Sequence, residues 1–224
     1  MNRNMDNGGE KVFVSWSGGK DSYLAFLKAR ESGLRISALV TFLNHNGRSM
    51  SHGVTEEILR RQAAGLGVPL ESEPVTWNSY EEGFSRVTER LKKKGISGGV
   101  FGDINVEDHR QWIENMCAKI SFTSHLPLWG MAEKEVVREL LRRGARLLVV
   151  SLRGDLLDKQ WLGKVVDESF MRMCLRRGIT PCGEKGEYHT LVVDGPSFKM
   201  PLQYKPGSVV EKDGRYFLQV IAAD

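Results

Sequence analysis

A serine, two glycines, a lysine, an aspartate and a second serine follow one another at Ser17-Gly18-Gly19-Lys20-Asp21-Ser22, between the apolar run Lys11 to Ser15 and a helical pattern. That order of residue types describes a cradle for a polyanion. The two glycines let the backbone turn sharply and approach an anion with no Cβ in the way. A helix beginning near Lys20 aims unpaired N–H groups and the positive end of its dipole at the same point. Ser17 and Ser22 supply hydroxyl donors, Lys20 supplies charge, and Ser15 lies where the strand runs out. Asp21 is out of place beside an anion unless it holds Mg2+ or caps the helix. The loop is neither the G-x-x-x-x-G-K-[ST] of a Walker A motif nor the G-x-G-x-x-G of a dinucleotide fingerprint.

The elements around this loop alternate. Tyr23, Leu24 and Leu27 share one helical face; strand patterns follow at Arg35 to Phe42, Val68 to Val75 and Gly99 to Phe101. Helical patterns occupy Val54 to Leu66, Tyr80 to Lys94 and Glu107 to Ile120. Such alternation predicts an α/β fold, a doubly wound parallel sheet with helices on both faces. Ligands then gather beyond the carboxyl ends of the strands. The unusual polar residues fall there: the serine–glycine loop, Asn44 to His52, and Gly102 to Asn105. The rhythm changes near Pro127-Leu128-Trp129. One helix (Glu133 to Arg143), one strand (Ala145 to Leu152) and another helix (about Val165 to Arg177) precede a Gly- and Pro-rich stretch of loops and short strands. A hairpin is predicted over Gly207 to Ala222, turning at Asp213-Gly214. We therefore expect a nucleotide domain over residues 1–128 and a smaller α+β substrate-recognition region over residues 129–224.

The chain has 224 residues, is 41% hydrophobic and 27% charged, and carries a formal charge of +4. These are values of a globular enzyme rather than a disordered chain. The cationic residues are scattered near predicted helix ends, so nucleic acid is not an expected partner. Three cysteines, Cys117, Cys174 and Cys182, form no C-x-x-C pair, which points to a reducing compartment and away from a disulfide scaffold. Cys182 reads either as a structural thiol or as a functional one. Met1 to Glu10 is polar, and the densest apolar run, Leu147 to Val150, is too short to span a bilayer. A cytoplasmic protein with no membrane partner is expected; self-association is left open.

The serine–glycine loop resembles the pyrophosphate loop of the N-type ATP pyrophosphatases, which implies an adenine nucleotide α-hydrolase-like fold and cleavage of ATP between its α- and β-phosphates. A second signature narrows this. Pro181-Cys182-Gly183-Glu184-Lys185-Gly186-Glu187-Tyr188-His189-Thr190, then Asp194-Gly195-Pro196-Ser197-Phe198, join Gly102-Asp103-Ile104 and Pro127-Leu128-Trp129. Together these resemble the diphthine–ammonia ligase family, over about Val12 to Phe198.

The resemblance implies ATP and Mg2+, with Ser15, Ser17, Gly18, Gly19, Lys20, Asp21, Ser22, Gly102 and Asp103 binding nucleotide and Asp21 the metal. It implies a carboxylate acceptor, the diphthine side chain of a translation elongation factor, adenylated and then amidated by ammonia. Lys20, Asp21, Glu184 and Glu187 are the candidate catalytic residues. Glu184 and Glu187, three apart on a glycine-rich loop, could order an ammonium ion, take its proton or hold a metal. With no glutaminase segment, ammonia would come from solution. Where many members read Glu-Gly-Gly-Glu-Tyr-Glu-Thr, this chain has Lys185 and His189, as bacterial relatives do, so a different carboxylate acceptor stays open. His52, His109 and His189 join Glu184 and Glu187 as candidate substrate contacts. Trp129 reads as packing at the junction, and Gly163-Lys164 as a helix-entry turn or a second phosphate contact. Two further readings are tRNA modification and a non-catalytic nucleotide sensor.

Overall fold

The computed structural model describes residues 9–50 and 52–223, so residues 1–8 of the polar N-terminal segment, Ser51 and Asp224 lie outside the described residues. Five parallel strands, β1 (Lys11–Ser15), β2 (Arg35–Leu43), β3 (Leu70–Pro74), β4 (Gly98–Val100) and β5 (Thr123–His125), form a sheet in the order β3-β2-β1-β4-β5. The strand that feeds the serine–glycine loop is therefore central, and the order reverses around it, which opens a crevice at its carboxyl end. Alternation along β1 sets the two faces. Val12 and Val14 join one apolar cluster with Leu24, Leu59 and Leu147, whereas Phe13 joins the other with Phe84, Leu91 and Met116. Helices α1 (Lys20–Glu31) and α2 (Glu56–Leu66) cover the first face; α3 (Tyr80–Lys93) and α4 (Glu107–Lys119) cover the second. The expected α/β architecture with helices on both faces is present.

The remaining strands build a four-stranded antiparallel sheet in the order β7-β6-β9-β8, from β6 (Arg146–Arg153), β7 (Tyr188–Asp194), β8 (Tyr204–Lys212) and β9 (Arg215–Ala222). Its apolar residues Leu147, Val149, Leu191 and Val193 share the cluster that holds Leu24 and Leu59, so α1 is sandwiched between the two sheets. This explains why α1 is buried around nearly its whole circumference, Lys20 and Ser22 included. Helix α5 (Glu133–Arg142) packs beside it, joined by Lys28 Nζ–Glu139 Oε1 at 3.1 Å.

Among the boundaries that differ from the sequence reading, three have local reasons. Strand β5 was not foreseen; it is three residues long, polar and partly exposed, and lies at the sheet edge. Helix α6 (Glu168–Arg176) starts three residues later than expected, because the Asp167 carboxylate caps it by accepting from Phe170 N at 2.8 Å. Val165, assigned to that helix, instead bridges to Leu148. The hairpin begins at Tyr204 rather than Gly207 and turns at Asp213-Gly214 as expected, with φ of 51° and 72°.

Candidate active site

The loop is shaped by residues far away in sequence. Gly18 has φ 79°, a value that favours glycine, and a Cβ there would come 2.7 Å from Gln62 Oε1. Gly18 O accepts from Val192 N (2.9 Å) and from Gln62 Nε2 (3.0 Å), while Gln62 Nε2 also donates to Val192 O at 2.6 Å. Trp16 Nε1 completes the knot by donating to Gln62 Oε1 at 3.1 Å. On the next residues, Lys20 N donates to Thr190 Oγ1 at 3.2 Å, and Ser22 Oγ donates to Gly19 O at 3.0 Å. The Ser17 and Ser22 hydroxyls lie 3.1 Å apart. Strand β7 thus clamps the loop along one side.

Gln62 is fully buried on a helix whose neighbours are apolar. Removing its amide strands the Trp16 N–H and takes a partner from two carbonyls at once. Gln62→Ala is expected to cost on the order of 3 kcal/mol in the urea unfolding free energy. An unchanged midpoint would contradict the knot.

Three acid- or thiol-bearing side chains meet beside Lys20. One ligand atom each from Asp21, Cys182 and Glu184 lies within 4.8 Å of the others. Asp21 Oδ2 accepts from Lys20 Nζ at 2.7 Å, and its buried Oδ1 has no hydrogen-bond partner among the described residues. Burial works against the Lys20 ammonium, but Asp21, with Glu184 behind it, holds its pKa above the ordinary lysine value. Burial, then the Asp21 charge, lifts Glu184 to about 7, against the pull of Lys20. Cys182 is buried, its Sγ donates to Glu133 O at 2.6 Å, and burial raises its pKa, so it stands as a protonated thiol. The orphaned carboxylate oxygen of Asp21 and the adjacent Glu184 carboxylate suit a hard cation with oxygen preference, such as Mg2+.

The two glutamates of the glycine-rich loop face different ways. Glu187 is only 4% exposed. Its Oε1 accepts from Thr180 N at 3.0 Å and its Oε2 from Lys185 N at 2.9 Å. Burial opposes its charge, yet these backbone donors bring its pKa below the usual glutamate value. Arg215 of β9 closes the same loop by donating to Gly186 O and, at 3.1 Å, to Ser151 Oγ.

His52 and His189 pack against each other beside the loop, with ring centroids 4.6 Å apart and planes tilted by 46°. A Cβ on Gly19 would fall 2.5 Å from His52 Nε2 and 3.0 Å from Thr190 O. Burial, helped by Lys20 and Arg215, lowers His52 to about 3, and burial with His52, Arg215 and Lys20 takes His189 well below its ordinary value. Both imidazoles are neutral when folded but titrate near 6.5 once unfolded, so the unfolded chain binds the extra protons and stability falls as pH drops through 6.5. Between pH 7.5 and 5.5 each histidine is expected to remove about 1.4 kcal/mol. Glu184, raised to about 7, acts in the opposite sense over the same range, so His52→Gln/His189→Gln should shift the trend until the urea midpoint rises towards pH 5.5; an unchanged profile would contradict the assignment.

Asp103 and His109 stand together at the end of β4, with His109 Nδ1 at 3.2 Å from Asp103 Oδ1. Burial raises the Asp103 pKa, partly offset by His109. Its charge adds to the rise at Glu184, behind burial and the Asp21 charge. Gly102 abuts the start of α1, where a Cβ would lie 2.8 Å from the Asp21 carbonyl carbon. Ser15 lines the adjoining cavity with Asp103 and His109. Trp129 packs under the Arg110 guanidinium at 5.1 Å, and Lys164 Nζ lies 5.1 Å over Trp161. The sequence reading missed Gln62 and Arg215. A polar side chain on the apolar stripe of α2 was the available signal for Gln62; Arg215 gave none.

Residues 10–124 match the family description "Diphthamide synthase N-terminal domain", and residues 132–219 match "Diphthamide synthase C-terminal domain". Among curated proteins, the diphthine–ammonia ligase of Homo sapiens is 25% identical, covering 89% of this chain and 85% of its own length. That of Rattus norvegicus is 25% identical over 84% of this chain and 80% of its own. The Schizosaccharomyces pombe protein of the same name is 25% identical over 90% of this chain, which spans only 37% of that longer relative. A solved chain described as a predicted subunit of tRNA methyltransferase from Methanocaldococcus jannaschii aligns with TM-score 0.44 and 19% identity, over 86% of this chain and 100% of that one. No helix among the described residues is long and apolar enough to cross a membrane. With both family descriptions matched in order along most of its length, the chain belongs to the diphthamide synthase family.

Proposed function

We propose that the protein is an ATP-dependent ligase that adenylates a carboxylate and converts it to an amide with ammonia. The observation that carries this reading is the meeting of the phosphate-type loop with Asp21 and Glu184, which β7 enforces through Thr190 and Val192. Family membership and the names of the curated relatives support it. Residues 1–128 would hold the nucleotide, and residues 129–224 would recognise the acceptor.

In the first step an acceptor carboxylate oxygen attacks the α-phosphorus, and the bond from Pα to the bridging oxygen breaks with its electrons leaving on pyrophosphate. Lys20 and the hydroxyls of Ser17 and Ser22 stabilise the charge that gathers there. Asp21 would hold Mg2+, which when bound screens the pyrophosphate. In the second step the ammonia nitrogen attacks the acyl carbon, AMP departs with the C–O electrons, and Glu184 accepts the proton. Glu187 acts through the backbone it holds, keeping Glu184 turned to the cleft. The acceptor is diphthine on a translation elongation factor or a related carboxylate. Incubation with ATP, Mg2+, ammonium and candidate acceptors should give AMP and pyrophosphate in equal amounts, dependent on acceptor; ADP and orthophosphate would sink the reading.

A further inference from the structure

Two imidazoles and a guanidinium that no ligase step employs gather beside the Ser17–Ser22 loop. His52 lies against Gly19, where an added Cβ would come 2.5 Å from its Nε2, and His189 packs on His52. The small sheet brings in the third group. Ser151 of β6 pairs with His189 of β7 on one side and with Phe217 of β9 on the other. Its hydroxyl accepts from Arg215 Nη1 at 3.1 Å, which fixes the guanidinium next to the His189 position. The chain after His52 rests on the same sheet, since a Cβ on Gly53 would lie 3.2 Å from the Phe217 ring.

These groups are short of acceptors. The ring nitrogens of His52 and His189 make no hydrogen bond among the described residues, and His52 Nδ1 is buried without a partner. A bare acceptor is tolerated in an interior more readily than a bare N–H. The neutral His52 ring therefore keeps its proton on Nε2, the nitrogen beside Gly19. Arg215 donates to Gly186 O and Ser151 Oγ, but no carboxylate pairs with it among the described residues. Asp155 is taken by Arg153 at 2.6 Å, and Glu187 by the N–H groups of Thr180 and Lys185. Neutral imidazoles side by side often hold a metal ion. Here Lys20 and Arg215 oppose any cation, and after burial they help to keep both rings uncharged.

Donors without acceptors, next to a phosphate-type loop and between two cations, fit an anion. We propose that His52, His189 and Arg215 form a phosphate clamp that holds the terminal phosphate of the nucleotide while Ser17 to Ser22 hold the inner ones. Hydrogen bonds to an ionised oxygen are the strong kind, and a guanidinium fork matches phosphate geometry. The departing pyrophosphate is then gripped by β7, β9 and the segment after β2 as well as by the loop. The inference rests on the reading of the loop as the ATP site and deepens it, naming the residues that tell the polyphosphate end from the nucleoside end.

Calorimetric titrations of the full chain with pyrophosphate and with AMP, both in Mg2+, test the clamp. His52→Phe and His189→Phe keep an aromatic ring in place and remove its N–H. Each should weaken pyrophosphate about 10- to 100-fold and leave AMP within about 2-fold, because AMP carries no terminal phosphate. Arg215→Met should weaken pyrophosphate to a similar degree. His52→Gln, whose amide N–H replaces that of Nε2, should recover most of the loss. Thermal melts check that each variant is folded. An equal loss of pyrophosphate and AMP would mark a merely structural role and overturn the clamp, as would a His52→Gln no better than His52→Phe. If wild type takes up pyrophosphate and the variants match it, the clamp fails and the nucleotide reading stands. If wild type takes up neither pyrophosphate nor AMP, the nucleotide reading fails and the clamp with it.

Discussion

Lys20→Ala lowers the release of pyrophosphate from ATP by about 100- to 1,000-fold, the usual cost of removing one preorganised charge from a developing anion. The structure gives reasons to expect the upper part of that range. The Lys20 side chain is 6% exposed and pairs with Asp21 at 2.7 Å, so its charge acts where little solvent screens it. Its pKa is held above the ordinary value despite burial, so it is fully charged at neutral pH. Losing it also leaves Asp21 and Glu184 facing each other without a cation, and that cluster then repels a polyphosphate. Lys20→Arg should recover little, because the enclosed site fits a compact ammonium better than a planar guanidinium. Steady-state rates with thermal melts as a folding control check this; a loss below about five-fold would contradict the role.

Gly102→Ala is expected to lower activity about 100-fold while leaving a folded protein. No unusual backbone angle is involved; the constraint is close approach. An added Cβ would lie 2.8 Å from the Asp21 carbonyl carbon and 2.9 Å from Ser22 N, both backbone atoms at the start of α1. A flexible side chain could move aside, but a helix N-terminus clamped by Thr190 and Gly19 cannot. The methyl group therefore pushes the end of β4 and the start of α1 apart. A displacement on the order of 1 Å at a reacting centre costs about 100-fold, and overpacking of this kind costs about 1–3 kcal/mol. Gly98, which opens β4 and whose Cβ would meet the flexible Glu10 carboxylate first, is the milder comparison. Equal activity in wild type and Gly102→Ala would show that the two elements are not held in register.

What the sequence made legible was the local part of this site. Strand, glycine turn and helix follow one another within Lys11–Glu31, so the Ser17–Ser22 loop could be read without any tertiary information. The parallel sheet was legible for the same reason, since each βα unit carries its own periodicity. Strand β5 was not, because Thr123–His125 is too short and too polar to show alternation. The clamp on the loop was equally hidden. Lys20 N and Thr190 Oγ1 are 170 positions apart, and nothing in either segment announces the other. The two glutamates show the limit best. Glu184 and Glu187 look alike on a glycine-rich loop, yet one faces Asp21 and the other is consumed by the N–H groups of Thr180 and Lys185. Only backbone direction separates them. The cavity beside the loop has the same character, because Trp77, Tyr80 and Trp112 come from a loop and two helices that meet only in the fold.

The central claim is that the Ser17–Ser22 loop takes the phosphates of ATP. Its most direct test is a ¹⁵N-detected titration of the protein with Mg2+ and pyrophosphate, which needs no knowledge of the acceptor. The amide resonances of Gly18 to Ser22 should move saturably, with those of Thr190 and Val192 following because β7 is bonded to the loop. A saturable response that leaves Gly18 to Ser22 in place, or no response at all, would contradict the account.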